Sequence, residues 1–254
     1  MPPGCARTTR CRKQRERERQ LTDLVLRVFA QSVALPEHLR LFSGFAKSQH
    51  EQIFAHAFGR RIIEYWPQKG TKRYMATSHL TPEQIAQVFG LVAQYITTQR
   101  EKYKSRAPQL SAQQKAKMAG FFSLELLHDA RLFVLNEERV MNPDFYPMLR
   151  NWGFRDLPNQ SAMGAITFSD TVVSNGPFTD GLLFHELVHV EQYRQLGIPC
   201  FSELYVRGFL TGGGYEGIPL ERNAYLLGER YEKNPARHFS VADEVVEWTA
   251  KGRF

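Results

Sequence analysis

The sequence predicts an α+β protein, mainly helical, in which a helical N-terminal region precedes a domain with a small sheet and one central apolar helix. Apolar residues recur at helical spacing from about residue 21 to 120, and the pattern changes near residue 130 to short runs rich in aromatic and β-branched residues between Gly, Pro and Asn. Helical spacing then returns from about residue 180 to the end. Three segments follow: a disordered basic tail at 1–20, a helical region at 21–125, and a domain at 126–254 that holds the chemistry. A chain of 254 residues with 43% hydrophobic content can bury a core of this kind.

Leu21, Leu24, Val25 and Val28 share one helical face, and Phe45, Ile53, Phe54, Ala57, Phe58, Ile62 and Ile63 form a second, broader one. A better-marked start comes at Thr81: Thr81 as N-cap, Pro82 at the first helical position and Gln84 two residues on make a capping box ahead of Ile85, Val88, Phe89, Val92 and Ile96. Ser111 with Gln114 repeats the device. His50, His56 and His79 read as surface or hydrogen-bonded helix histidines. In ARLFVLN the aromatic and β-branched content before the NEE turn predicts a strand. NPDFYPMLRNWG predicts a short helix with Asn142 as cap, Pro143 at its first position and Gly153 as its stop. SAMGAITFSDTVVSNGP, with Ile166, Phe168 and Thr171 to Val173 between Gly and Pro, predicts one further strand. Helices are expected at about 180–196, closed by Gly197 and Pro199, at 202–210, from 219 to about 233 after a TGGG loop, and from residue 240.

The formal charge of +7 suggests a nucleic-acid binder until it is mapped. Residues 1–20 hold seven Lys/Arg against two Glu and so supply five of those charges, leaving +2 for the remaining 234 residues. A nucleic-acid contact would therefore rest on residues 7–19 of the tail, with no basic stripe in the folded part. No apolar segment of signal-peptide length follows the arginines, because Asp23 and Arg27 interrupt it, and no uncharged run approaches bilayer-spanning length. Cys5, Cys11 and Cys200 make an odd set without a second pair to complete a zinc site, which leaves the cytoplasm as the expected compartment.

The chemistry concentrates in LLFHELVHVEQY, residues 182–193. His185 and His189 are four apart in a helical pattern, so their rings project from one face where both imidazoles reach a single ion. Glu186 lies about 100° further round, too far to bind the ion but near a water held by it. A zinc ion lowers the pKa of such a water toward ~7, and the carboxylate removes its proton as it attacks a carbonyl. The apolar neighbours Leu182, Leu183, Phe184, Leu187, Val188 and Val190 would raise the carboxyl pKa by desolvation, against the opposing pull of the metal. A catalytic zinc needs a third protein ligand. Glu221, in the first turn of the helix opened by Pro219, is the leading candidate; Glu216 in GGGYEGIP is its rival, ahead of His238 and Glu203.

HELVH followed 32 residues later by the glutamate of LERNAY resembles the gluzincin branch of the zincin metallopeptidases, where a helical Glu-x-x-Ala type segment supplies the third ligand. HELVHVEQYRQLG with YEGIPLERNAY is similar, more closely, to the bacterial zincin-like domain also described as the core domain of extracellular contractile injection systems, whose His-Glu-x-x-His-x-x-Gln signature ends here at Gln192. The resemblance covers about residues 140–234 and leaves residues 1–120 outside it. It implies a small α+β zincin in which a strand before the active helix lies beside the substrate, the place occupied by AITFSDTVVSN. It also implies an oxyanion-stabilising Tyr, His or Arg, for which Tyr215, Tyr225 and Arg222 are the nearby candidates.

The expectation is thus a zinc-dependent hydrolase, a metallopeptidase acting on peptide or protein substrates, with Zn²⁺ on His185, His189 and Glu221 and with Glu186 as general base and later proton donor. The alternative is a non-catalytic zinc-binding scaffold or interaction module, with the basic tail as its contact.

Overall fold

The computed structural model describes residues 80–154 and 156–253, which belong to one compact unit. The basic tail, the two apolar faces between residues 21 and 63, and His50, His56 and His79 lie outside the described residues.

Helix α1 (Pro82–Lys104) opens with the expected capping box: Thr81 Oγ1 accepts from the Gln84 N–H at 3.3 Å, and Gln84 Oε1 accepts from the Thr81 N–H at 2.8 Å. Ser111 and Gln114 exchange the same two bonds, at 3.2 and 2.9 Å, at the start of α2 (Ala112–Met118). After α3 (Leu124–Asp129) the chain enters β1 (Arg131–Val134), where ARLFVLN was expected to be extended.

Two sequence expectations need correction here. Asn142 does not cap a helix: α4 (Tyr146–Asn151) starts after Phe145 with no side-chain cap. Asn142 Oδ1 instead accepts from the Gln160 N–H at 2.8 Å, fastening the loop that leads to the sheet. The stretch taken as a single strand is a hairpin, β2 (Ala165–Phe168) and β3 (Thr171–Ser174), joined by Ser169 and Asp170. Ser169 adopts φ 63°, the positive value that tight hairpin loops require, without the Gly or Asn that usually announces it.

The sheet order is β1-β3-β2, with β1 and β3 parallel (Leu132 opposite Val172) and β2 antiparallel to β3 (Thr167 opposite Val172). β2 is therefore an edge strand. Next comes α5 (Asp180–Gly212), capped by Thr179 Oγ1, which accepts from the Leu182 N–H at 3.1 Å. Gly197 breaks it with φ 72° and ψ 162°, a conformation essentially restricted to glycine, and Pro199 follows. The helix resumes at once, and this redirected half carries Phe201, Tyr205 and Phe209.

The following loop returns the chain against α5 by a backbone contact only glycines permit: a Cβ on Gly212 would lie 2.5 Å from the Gly217 carbonyl oxygen. Pro219 then opens α6 (Pro219–Lys233), and Ser240 caps α7 (Val241–Ala250) by accepting from the Asp243 N–H at 3.2 Å.

Every residue from Leu183 to Tyr193 is buried, so the first half of α5 is the central element of the fold. One side packs Leu183, Phe184, Leu187 and Val188 against α2, α3, α6 and α7, where Phe184 stacks on Tyr231 with centroids 4.4 Å apart. The other core joins α1, α4 and β2 to Tyr193, Phe201, Val206 and Phe209 of α5 and Leu220 of α6. Among the described residues no helix is long and apolar enough to cross a membrane.

Candidate metal centre

The two halves of the centre come from α5 and from the first turn of α6. Four-residue spacing on α5 brings the rings of His185 and His189 together, with Nε2 atoms 3.1 Å apart. Glu221 reaches them from α6, its Oε2 lying 3.6 Å from His185 Nε2 and 3.3 Å from His189 Nε2. A carboxylate at that helical position also faces the positive end of the α6 dipole. Among the described residues these three form the one group of His, Cys, Asp or Glu side chains arranged to hold a metal ion.

The chemistry of the cluster fits a cation. All three side chains are buried, with His185 9% and His189 and Glu221 each 5% exposed, and Glu221 Oε2 has no hydrogen-bond partner. A buried carboxylate oxygen that faces two imidazole nitrogens without a hydrogen bond is a place where a cation is favourable. The edges of the triangle, 3.1, 3.3 and 3.6 Å, match a tetrahedral zinc site, which spaces nitrogen and oxygen ligands about 3.3 Å apart. Without a cation, protons compensate. Burial alone would push the His189 imidazole down, but the Glu221 carboxylate, with a smaller contribution from Glu186, outweighs it and raises the ring to about 9. Burial likewise works to raise the Glu221 carboxyl, yet the two imidazoles hold it well below the usual carboxylate range.

Gln192 orients His189. Its Nε2 donates to the Leu220 carbonyl and to Asn223 Oδ1, both at 3.0 Å, and a backbone carbonyl can only accept, so the amide orientation is fixed. Its Oε1 therefore faces His189 Nδ1 at 2.9 Å and accepts the proton there, which leaves Nε2 as the ring atom that faces Glu221 and would bind an ion. One fully buried side chain thus sets a histidine tautomer and ties α5 to α6.

Glu186, also buried, lines the same cavity as the triangle and is tied to the sheet through one carboxylate oxygen. The hydroxyl of Thr167 on β2 donates to Glu186 Oε2 at 2.6 Å. No sequence pattern marks Thr167 or Asn223, because the contacts that matter cross between elements distant along the chain. Gln192 was visible only as the end of a signature.

The other candidates separate by position. Glu203 pairs with Arg207 at 2.8 Å, and the His238 ring stacks edge-on to Phe121 with centroids 4.9 Å apart, in the opposite core. Glu216 and Arg222 are exposed. The Tyr225 ring lies on His185 with centroids 4.5 Å apart, and its hydroxyl hydrogen-bonds Tyr215, which lines the adjoining cavity. Burial first, and then the negative charge of Glu221, push both phenols above their usual pKa, so both keep their protons. Tyr193, at the end of the histidine segment, and Tyr205, which no motif marks, line the same cavity and are pushed up for the same reasons.

Comparison of the chain with family models, with curated proteins and with solved structures gives no match.

Proposed function

We propose that the protein is a zinc-dependent hydrolase, a metallopeptidase of zincin-like arrangement in which His185, His189 and Glu221 hold the ion. The observation that carries the reading is the buried triangle of two imidazole nitrogens and a carboxylate oxygen that has no other partner. When bound there, a zinc ion acidifies a coordinated water and polarises the substrate carbonyl.

Glu186 is the general base. Thr167 holds Oε2, so the other carboxylate oxygen takes the proton from the attacking water as its oxygen bonds to the carbonyl carbon. The same carboxyl then returns that proton to the amine nitrogen as the C–N bond breaks. Tyr215 and Tyr225, both kept protonated, are the donors available for the negative charge that develops on the carbonyl oxygen. β2, an edge strand whose residues line the cavity beside the cluster, offers unpaired backbone groups to an extended peptide. The odd number of cysteines favours the cytoplasm as the compartment.

The test is Glu186→Gln. It should keep zinc and lose hydrolysis of peptides cut by the parent protein; cleavage at the parental rate would refute the role of Glu186. A second reading, a non-catalytic zinc-binding scaffold, draws on the near-complete burial of the three ligands. Under that reading Glu186→Gln changes stability alone and neither protein cuts any peptide.

A further inference from the structure

Beside the cluster lies a cavity of about 140 Å³. Its walls come from three helices: Val88, Val92 and Ile96 of α1, Leu149 of α4, and Val206 and Phe209 from the half of α5 beyond Gly197. β2 forms a further side with Ala165 to Phe168. Among the described residues the only acids and imidazoles on its surface are those of the centre itself, His185, Glu186, His189 and Glu221. The rings of Tyr95, Tyr146, Tyr193, Tyr205 and Tyr215 share the lining. The space is therefore mainly apolar and aromatic, and its charged groups are those of the centre.

We propose that this cavity is a specificity pocket that receives one bulky apolar side chain, aromatic or long aliphatic, flanking the bond to be cut in a peptide substrate. The proposal rests on the peptidase reading given above. Size selects the class: an apolar cavity of about 150 Å³ stays dry and takes up a benzene ring, and the space here is of that order. Charge selects it as well. A Lys, Arg, Asp or Glu side chain inserted beyond the centre would meet walls of Val, Leu, Ile, Phe and Tyr with no opposite charge, so its desolvation is poorly compensated. A peptide paired along the edge of β2 turns alternate side chains to the same face. One of them then falls at the mouth of the cavity while the backbone passes Glu186, which Thr167 of the same strand holds. The role also gives α1 a function: it closes the pocket, although it lies outside the segment that carries the metal-binding residues.

Two measurements separate this pocket from the peptidase reading. The first needs neither metal nor turnover. On zinc-stripped protein, toluene should raise the melting temperature, as a ligand of the folded state does, and Val92→Phe, which fills the space, should abolish the rise. No rise in the parent protein, or an equal rise in folded Val92→Phe, overturns the pocket. If Val92→Phe does not fold, Val92→Ala enlarges the same space and should increase the rise produced by naphthalene relative to that produced by toluene; an unchanged ratio overturns the assignment.

The second measurement exposes a mixed peptide digest to zinc-loaded protein and maps the cuts by mass spectrometry. Cuts should cluster beside Phe, Tyr, Leu and Met, with kcat/KM falling about 10- to 200-fold when that residue is replaced by Ala. Glu186-dependent cuts without side-chain preference overturn the pocket and leave the peptidase reading standing. Absence of Glu186-dependent cuts in protein that binds toluene at a Val92-sensitive site overturns the peptidase reading, and the substrate role of the pocket with it.

Discussion

Gln192 accepts the Nδ1 proton of His189 at 2.9 Å while its own amide N–H₂ spans Leu220 and Asn223 on the neighbouring helix. The side chain therefore acts on two links at once, the tautomer of a ligand and the distance between the helices that supply the ligands. Replacing it with Leu keeps the volume but leaves the Leu220 carbonyl, Asn223 Oδ1 and His189 Nδ1 without this partner. Gln192→Leu should weaken zinc affinity about 10- to 100-fold, measured by competition with a coloured chelator. Affinity equal to the parent's would show that the ring is held by other means.

Thr167 is predicted to matter for turnover and not for metal. A hydrogen bond to a charged group contributes about 1.5–3 kcal/mol, and every 1.36 kcal/mol is about tenfold in rate. Thr167→Val should therefore cut kcat by about 10- to 100-fold with zinc content unchanged, and Thr167→Ser, which keeps the hydroxyl, should recover most of the loss. Equal activity of the Val and Ser variants would dissociate Thr167 from Glu186.

The hairpin that presents β2 has a pH-dependent fastening. Arg100 donates from Nε and Nη2 to Asp170 at 2.7 Å each, and Lys104 Nζ adds a bond at 2.9 Å. Burial works to raise the Asp170 carboxyl, but the guanidinium and ammonium groups outweigh it and lower it to about 2. The folded-state value lies below the ordinary Asp value of about 3.9, so the contribution is fully present above roughly pH 4 and disappears as pH falls toward 2. Asp170→Asn should cost about 1–2 kcal/mol near neutrality, after discounting for the quarter of the side chain that remains exposed. Urea denaturation should show the gap between parent and variant shrinking from pH 5 to pH 2; a constant gap would rule out the ion pair as its cause.

Gly197 should resist substitution for a backbone reason alone. A Cβ there would meet nothing closer than Pro199 Cδ at 3.9 Å, so space is not the obstacle. The cost lies in φ 72° and ψ 162°, a region where side-chain-bearing residues pay of order 1–3 kcal/mol. Gly197→Ala should lower stability by that amount in thermal melts, and an unchanged melting temperature would mean that the break in α5 is not fixed by glycine.

Local signals were the ones the sequence made legible. Thr81 with Gln84, Ser111 with Gln114, Ser240, Pro219 and the break at Gly197 each act within a few residues, and each marks a boundary in the structure. His185 and His189 were readable because helical periodicity alone puts them on one face, and Glu221 because Pro219 fixes the start of its helix. The hairpin is not legible in the sequence because Ser169 takes a positive φ without being Gly or Asn. The role of Asn142 is hidden from local reading because its carboxamide serves a residue 18 positions away instead of a helix beside it. Thr167, Asn223 and the contribution of α1 to the cavity wall depend on contacts between distant elements, for which no spacing rule exists.

Zinc per chain, measured by elemental analysis on tag-free protein beside His189→Ala and Glu221→Ala, tests the central claim most directly. The three-ligand centre predicts about one zinc in the parent and loss from both variants. A parent chain that stays folded and takes up no zinc when it is offered would contradict the account.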